Sequence, residues 1–141
     1  MGWCVGDRKS IGGYIFTING KPVTWSSKKQ ASVALLTCEA EYVALTEAVE
    51  ESMFLTLLFK YIGSGVNTPV IYCDNNSAIN LAKHPTNHRN SKHISIKYHF
   101  VRDLVNLAFV LDRVDTKANV ADMMTKALAL PLLQPLLTLL Q

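Results

Sequence analysis

With 141 residues, 49% of them hydrophobic and 18% charged, the chain is one domain's worth of protein, and a domain of that size buries roughly 70% of the surface it would expose unfolded. That balance excludes intrinsic disorder, which needs few apolar groups and much charge, and no run reaches the roughly 18 apolar residues of a bilayer span. The net charge of +3 is too mild to support a nucleic-acid claim by itself.

The first residues, Met-Gly-Trp-Cys-Val, lack the basic and apolar regions of a signal peptide. The expectation is a soluble intracellular protein, cytoplasmic or nuclear, with no membrane partner and no small-molecule substrate. Cys4, Cys38 and Cys73 are odd in number, widely spaced and without a Cys-x-x-Cys pair, which disfavours a disulfide framework or a zinc ribbon.

Two β-prone runs, Tyr14 to Ile18 and Pro22 to Ser26, flank Asn19-Gly20. That dipeptide supplies the two positive-φ positions of a type I′ turn, so a hairpin is predicted. Ser26 to Gln30 reads as a polar, basic loop. A helical pattern follows from about Thr37 to Tyr61 and stops before Gly63-Ser64-Gly65. Next come a strand over Val70 to Asp74, a short helix over Ser77 to Lys83, and a helix over Ile94 to Leu107. A strand over Phe109 to Val114 and a helix over Asn119 to Leu128 complete the order β-β-α-β-α-α-β-α. Hairpin first, this predicts a mixed α/β sheet flanked by helices, with residues 1–130 as the domain and 131–141 as an apolar tail.

Three carboxylates stand out from the solvated acids. At 100° per residue, Glu39, Glu47 and Glu50 lie about 120–180° around the long helix from Glu41. Glu41 shares its face with Thr37, Ala44, Leu45, Ala48, Ser52 and Leu55. A carboxylate on such a stripe faces the sheet, where it needs a partner or must neutralise; the plainer alternative is a Glu placed early in a helix to suit its dipole. Asp74 closes the strand Val70-Ile71-Tyr72-Cys73, and ligands of α/β sheets bind beyond the carboxyl ends of strands. Capping by Asp74-Asn75-Asn76-Ser77 is the other explanation there. Asp122 sits at the start of the last helix, as dipole complement or as ligand. Together the three suggest a magnesium cluster, since Mg²⁺ prefers hard oxygen ligands.

All four histidines (His84, His88, His93, His99) lie between Lys83 and Arg102, with Arg89, Lys92 and Lys97. Their irregular spacing, with no cysteine nearby, argues against zinc. On the helix Lys92, Ser95, His99, Arg102 and Asn106 share a polar stripe. It is either an ordinary solvated face or a set of phosphate contacts that position nucleic acid without reading its sequence.

Several segments resemble one family. Val33-Ala34-Leu35-Leu36-Thr37-Cys38-Glu39-Ala40-Glu41-Tyr42-Val43-Ala44-Leu45 is similar to the VALST-x-EAEYVAL segment of copia-type retrotransposon ribonuclease H domains. Similar matches run through Tyr72-Cys73-Asp74-Asn75-Asn76-Ser77-Ala78-Ile79 and the Lys92 to Arg102 helix. The ending Ala121-Asp122-Met123-Met124-Thr125-Lys126-Ala127-Leu128 resembles the family's AD-x-x-TKAL. Asp7-Arg8-Lys9-Ser10, Gly13-Tyr14 and Trp25 to Gln30 extend the resemblance over nearly the whole chain.

The resemblance implies a ribonuclease H-like fold at the C-terminal end of a Pol polyprotein, after its reverse transcriptase, which would be the protein partner. It implies that Glu41, Asp74 and Asp122 hold two Mg²⁺ ions and cleave the RNA strand of an RNA–DNA hybrid. The candidate nucleic-acid contacts are Lys92, His99, Arg102, Asn76 and Arg89. In the family a further catalytic Asp lies on the first, central strand, which pairs with the hairpin on one side and the Asp74 strand on the other. Aligned on Asp7-Arg8-Lys9-Ser10, that Asp falls before Met1, and no acid occurs in Met1 to Gly6. The expectation is therefore a domain truncated at its N-terminus, without its central strand, binding metal weakly and cutting little or nothing. Two alternatives stand beside it: a non-catalytic nucleic-acid-binding or host-adopted module, and a structural remnant that needs a partner strand.

Overall fold

The computed structural model describes residues 2–3, 9–31, 37–65, 67–84 and 92–141, and the side chains of 2, 3, 37 and 92–94 are outside the description. A two-residue strand β1 (Gly2–Trp3) precedes the hairpin β2 (Ser10–Ile18) and β3 (Lys21–Lys29). The turn has the predicted chemistry: Asn19 and Gly20 take φ of 52° and 79°, the left-handed pair of a type I′ turn. The register slips between Phe16 and Thr17, and the ladder then runs back to Ile11 opposite Lys29. The segment read as a polar loop after Ser26 is thus the second half of β3. Its polar side chains are no obstacle, because they sit on an exposed strand.

The helix α1 (Thr37–Tyr61) has the predicted bounds. It ends where Gly63 turns to φ 73° and Ser64 N–H reaches back to Phe59 C=O at 3.0 Å, a glycine-terminated helix end. Beyond it lie β4 (Val70–Cys73), α2 (Asn76–Lys83), α3 (Lys92–Leu104) and β5 (Val110–Arg113). Asn75 caps α2, its Oδ1 accepting from Ala78 N–H at 3.1 Å. α3 stops three residues short of the predicted Leu107. Asn106 takes φ 65° and donates its N–H to Phe109 C=O at 2.8 Å, which closes a turn instead of extending the helix.

The predicted helix over 119–128 contracts to one α-turn, α4 (Asp122–Thr125), and a 3₁₀ turn (Thr116–Ala118) precedes it. Asn119 is the cause, since its Oδ1 accepts from Ala121 N–H at 3.2 Å and competes with helical pairing. The apolar tail is helical, as α5 (Leu130–Thr138). Pro131 is tolerated in its first turn, where no N–H partner is required. Only Leu136 of α5 is buried, and Leu130, Leu132, Leu137 and Leu139 stay exposed.

The sheet departs from a single mixed one. β1, β2 and β3 form an antiparallel sheet, while β4 and β5 form a separate parallel pair with Ile71 opposite Leu111. Among the described residues no strand joins β2 to β4, and a groove of about 680 Å³ separates them, lined by Tyr14, Phe16, Leu45, Phe59, Ile71 and Cys73 among others. The core packs beside that groove, from Tyr42, Leu45 and Val49 of α1 to Ile79 of α2, Tyr98 and Val101 of α3, and Phe109 and Leu111 around β5. Tyr42 and Tyr98 meet edge to face with ring centroids 4.2 Å apart, and Tyr42 donates its hydroxyl to Tyr98 C=O at 3.3 Å. Glu39, expected among the solvated acids, is instead buried.

Candidate functional site

Glu41 stands in the second turn of α1, on the face whose Ala44 abuts β2. A Cβ added to Gly12 would come within 3.3 Å of Ala44 Cβ, a tight contact that would push helix and strand a few tenths of an ångström apart. Gln30 clasps the same corner. Its N–H bonds Ser10 C=O at 2.8 Å, and its Nε2 donates to Ala40 C=O at 2.8 Å in the buried interior. Asp74 follows the last residue of β4, and Asp122 opens α4. A Cβ at Gly13 would lie 2.8 Å from Met124 Cβ, while Ser27 Oγ donates to Met124 C=O at 2.6 Å. α4 is thereby locked onto β2 and β3.

These constraints bring the three predicted carboxylates to one place. Glu41, Asp74 and Asp122 line a single cavity of about 30 Å³, together with Gly12, Gly13 and Asn119. Burial raises the Glu41 pKa, opposed by the charge of the N-terminal ammonium and, more weakly, of Lys126, while the negative charges of Asp74 and Asp122 add to the rise. Lys126 donates from Nζ to Asp122 Oδ2 at 2.9 Å. Burial works against its charge, yet the hydrogen bond and charge of Asp122, with Asp74 beyond, hold its pKa above the ordinary lysine range.

The fit to magnesium follows from this geometry. The carboxylates interact through their charges, but among the described residues no three His, Cys, Asp or Glu side chains converge closely enough to hold an ion. Space is not what decides this, since Glu41 and Asp74 also line the groove of about 680 Å³, ample for the waters that Mg²⁺ keeps; the spacing of the ligands is. Asp122 already has a cation in Lys126. As arranged, these residues do not fit a two-ion centre.

The basic stretch is less completely placed. Arg89 and His88 lie outside the described residues, as do Asp7 and Leu36, and nothing is described of the Lys92 side chain. On α3 His99 is exposed and Arg102 half-buried, with Arg102 Nη2 against His99 Nδ1. Asn76 is exposed at the first residue of α2. Cys38 and Cys73 are free thiols. Burial pushes Cys73 up to about 11, so it is no nucleophile at neutral pH. The sequence reading passed over Lys126 except as part of a motif, although its i,i+4 spacing from Asp122 was the available signal. Gly12 carried none beyond its type, Gly13 only its place in the family resemblance, and Asn119 only its place at the expected helix start.

Comparison with known proteins places the chain in context. Over 123 residues, 86% of its length, it is 41% identical to the Retrovirus-related Pol polyprotein from transposon TNT 1-94 of Nicotiana tabacum. The chain is homologous to part of a transposon Pol polyprotein. It is also 38% identical over 125 residues to the Retrovirus-related Pol polyprotein from transposon RE1 of Arabidopsis thaliana. These alignments span 9% and 8% of the two Pol polyproteins. A shorter segment of 53 residues is 51% identical to Secreted RxLR effector protein 161 of Plasmopara viticola and covers 37% of it. No family model matches the chain, and no solved structure matches it. Among the described residues no helix is long and apolar enough to cross a membrane.

Proposed function

We propose that this chain is the ribonuclease H-like domain of a copia-type Pol polyprotein and that its ligand is the RNA–DNA hybrid. The observation that carries the reading is the meeting of Glu41, Asp74 and Asp122 in one cavity, from segments otherwise remote along the chain. The motif resemblance and the homology to plant transposon Pol polyproteins support it. His99, Arg102 and Asn76, with Lys92 and Arg89 of the same basic stretch, supply phosphate contacts, and the reverse transcriptase of the same polyprotein is the neighbouring partner.

Two bound Mg²⁺ ions would supply an activated water and a stabilised leaving oxygen. Because the residues as arranged offer no seats for them, no hydrolytic step is assigned to this chain's own acids. It is a hybrid-binding domain related to hybrid-cutting ones. Incubation with labelled hybrid and MgCl2 tests this. The expected result is affinity that falls steeply with salt and an intact RNA strand. Turnover abolished by Asp74→Asn would overturn it, and affinity indifferent to salt would remove the basic stretch.

The groove between β2 and β4 favours a second reading, in which a strand from elsewhere completes the domain. Ser10 C=O accepts from Gln30 N–H, so Ser10 faces β3, and the alternation of a ladder turns the backbone groups of Gly13 and Ile15 to the other edge. Pro69 and Cys73 carbonyls accept from Val110 and Val114, which likewise turns Val70 and Tyr72 away from β5. Both edges thus present backbone donors and acceptors toward the groove, the arrangement that strand addition requires. Amide hydrogen exchange tests it. A chain extended at its N-terminus by an alternating Val/Thr strand should gain protection at Gly13, Ile15 and Tyr72, and unchanged protection there would refute it.

A further inference from the structure

The hairpin is a second basic stretch. From Arg8 to Cys38 the sequence holds Arg8, Lys9, Lys21, Lys28 and Lys29 and no Asp or Glu, and Lys21, Lys28 and Lys29 of β3 are exposed. β3 is an edge strand of its sheet, where lysines block pairing with another chain. That role does not account for Trp25, which lies between them and is 61% exposed.

The register sets the two faces of the hairpin. Gly13 pairs with Ser27, and Ile15 with Trp25. A Cβ on Gly13 would meet Met124, and the Ser27 hydroxyl bonds Met124 C=O, so this rung looks toward α4. Alternation puts Trp25 and Lys29 on the same face. α4 is a single turn, and one rung further on Trp25 stands open to solvent. The acids that α1 brings to the hairpin belong to the other face, since Thr24 Oγ1 donates to Glu51 Oε1 at 2.9 Å and Thr24 alternates with Trp25. The one carboxylate of α4, Asp122, is held by Lys126 at 2.9 Å. An open indole among ammonium groups, with the strand between it and the α1 acids, suits a flexible polyanion that carries flat rings. Phosphates meet the lysines and a base stacks on the indole. Unpaired bases can be splayed out for such stacking, while those of a duplex are stacked on one another.

We propose that the α4 face of the hairpin binds single-stranded nucleic acid, with Trp25 as the stacking platform and the exposed lysines of β3 as phosphate contacts. This surface is separate from the α2 and α3 residues assigned to the hybrid and does not rest on that reading. A chain that bound no hybrid would fail the reading above and must still bind the single strand.

The test uses the full chain carrying Trp3→Phe, which leaves Trp25 as its one tryptophan. It is titrated with oligothymidylate and with oligouridylate of about twelve nucleotides. Both should quench the Trp25 emission as they bind, and the tighter of the two tells DNA from RNA. Trp25→Ala should melt within about 2 °C of the native chain, as an exposed position allows, and bind labelled oligothymidylate about tenfold more weakly. Trp25→Phe should keep most of the affinity. Lys28→Gln/Lys29→Gln should lower the slope of log affinity against log salt by about 1. The quenching needs no substitution at Trp25 and decides the matter should Trp25→Ala fold poorly. No binding of either oligonucleotide, emission unchanged on binding, or equal affinities of the native chain and Trp25→Ala would overturn the proposal. So would a dimer in sedimentation that Trp25→Ala abolishes and that binds no oligonucleotide, which would give this face to a second copy.

Discussion

Gly13 lies so close beneath Met124 that a Cβ on it would come within 2.8 Å of Met124 Cβ. That approach seats α4, and with it Asp122, against the first sheet. Gly13→Ala must push the turn outward, and a crowded substitution of this kind costs about 1–3 kcal/mol. Chemical denaturation should show that loss, whereas Gly20→Ala, with nothing within 4 Å, should show only the strain of its positive φ.

Tyr42 joins α1 to α3. Tyr42→Phe keeps the ring contact with Tyr98 and loses the bond to its carbonyl, a loss of about 1 kcal/mol. Tyr42→Ala also opens a cavity among Leu45, Val49 and Val101 and should cost about 3–5 kcal/mol. Equilibrium unfolding in urea separates the two variants.

Much of this was legible in the sequence, for identifiable reasons. Asn19-Gly20 could form few other turns, Gly63 could end α1 without strain, and the stripe that placed Glu41 toward the sheet depended only on helical spacing. The split of the sheet was legible only through the family resemblance, under which no central strand was expected between the hairpin and the Asp74 strand; no local propensity marks it. The shortness of α4 was not legible. Residues 119–128 carry a helical composition, but Asn119 spends its side chain on the Ala121 N–H and the close packing at Gly13 limits the turn. Glu39 sat on the wrong side of the helical count because α1 is covered on more than one face, with both Glu39 and Ala40 buried.

Stability should depend on pH through Glu41. Its pKa is raised in the folded chain above the ordinary 4.5, so the native state holds a proton there that the unfolded state has released. The sign is therefore a loss of stability as pH rises from about 4.5 through the folded-state value. Glu41→Gln should flatten that part of the profile and leave the chain more stable than the native one at neutral pH. A melting-temperature series across the acidic range measures it.

Asn75 caps α2 directly after Asp74, so the cap also fixes the end of β4. Asn75→Ala should cost about 1 kcal/mol, and Asn75→Asp, which keeps the acceptor, should cost less. Thermal melts of the two variants decide this.

The central claim is that three carboxylates from separate segments share one electrostatic environment. Carbon-13 NMR of the side-chain carboxyl of Glu41, titrated in the native chain and in three variants, tests it most directly. Asp74→Asn and Asp122→Asn should each lower the Glu41 pKa, and Lys126→Met should raise it. A Glu41 titration that none of the three substitutions moves would place these groups apart and contradict the account.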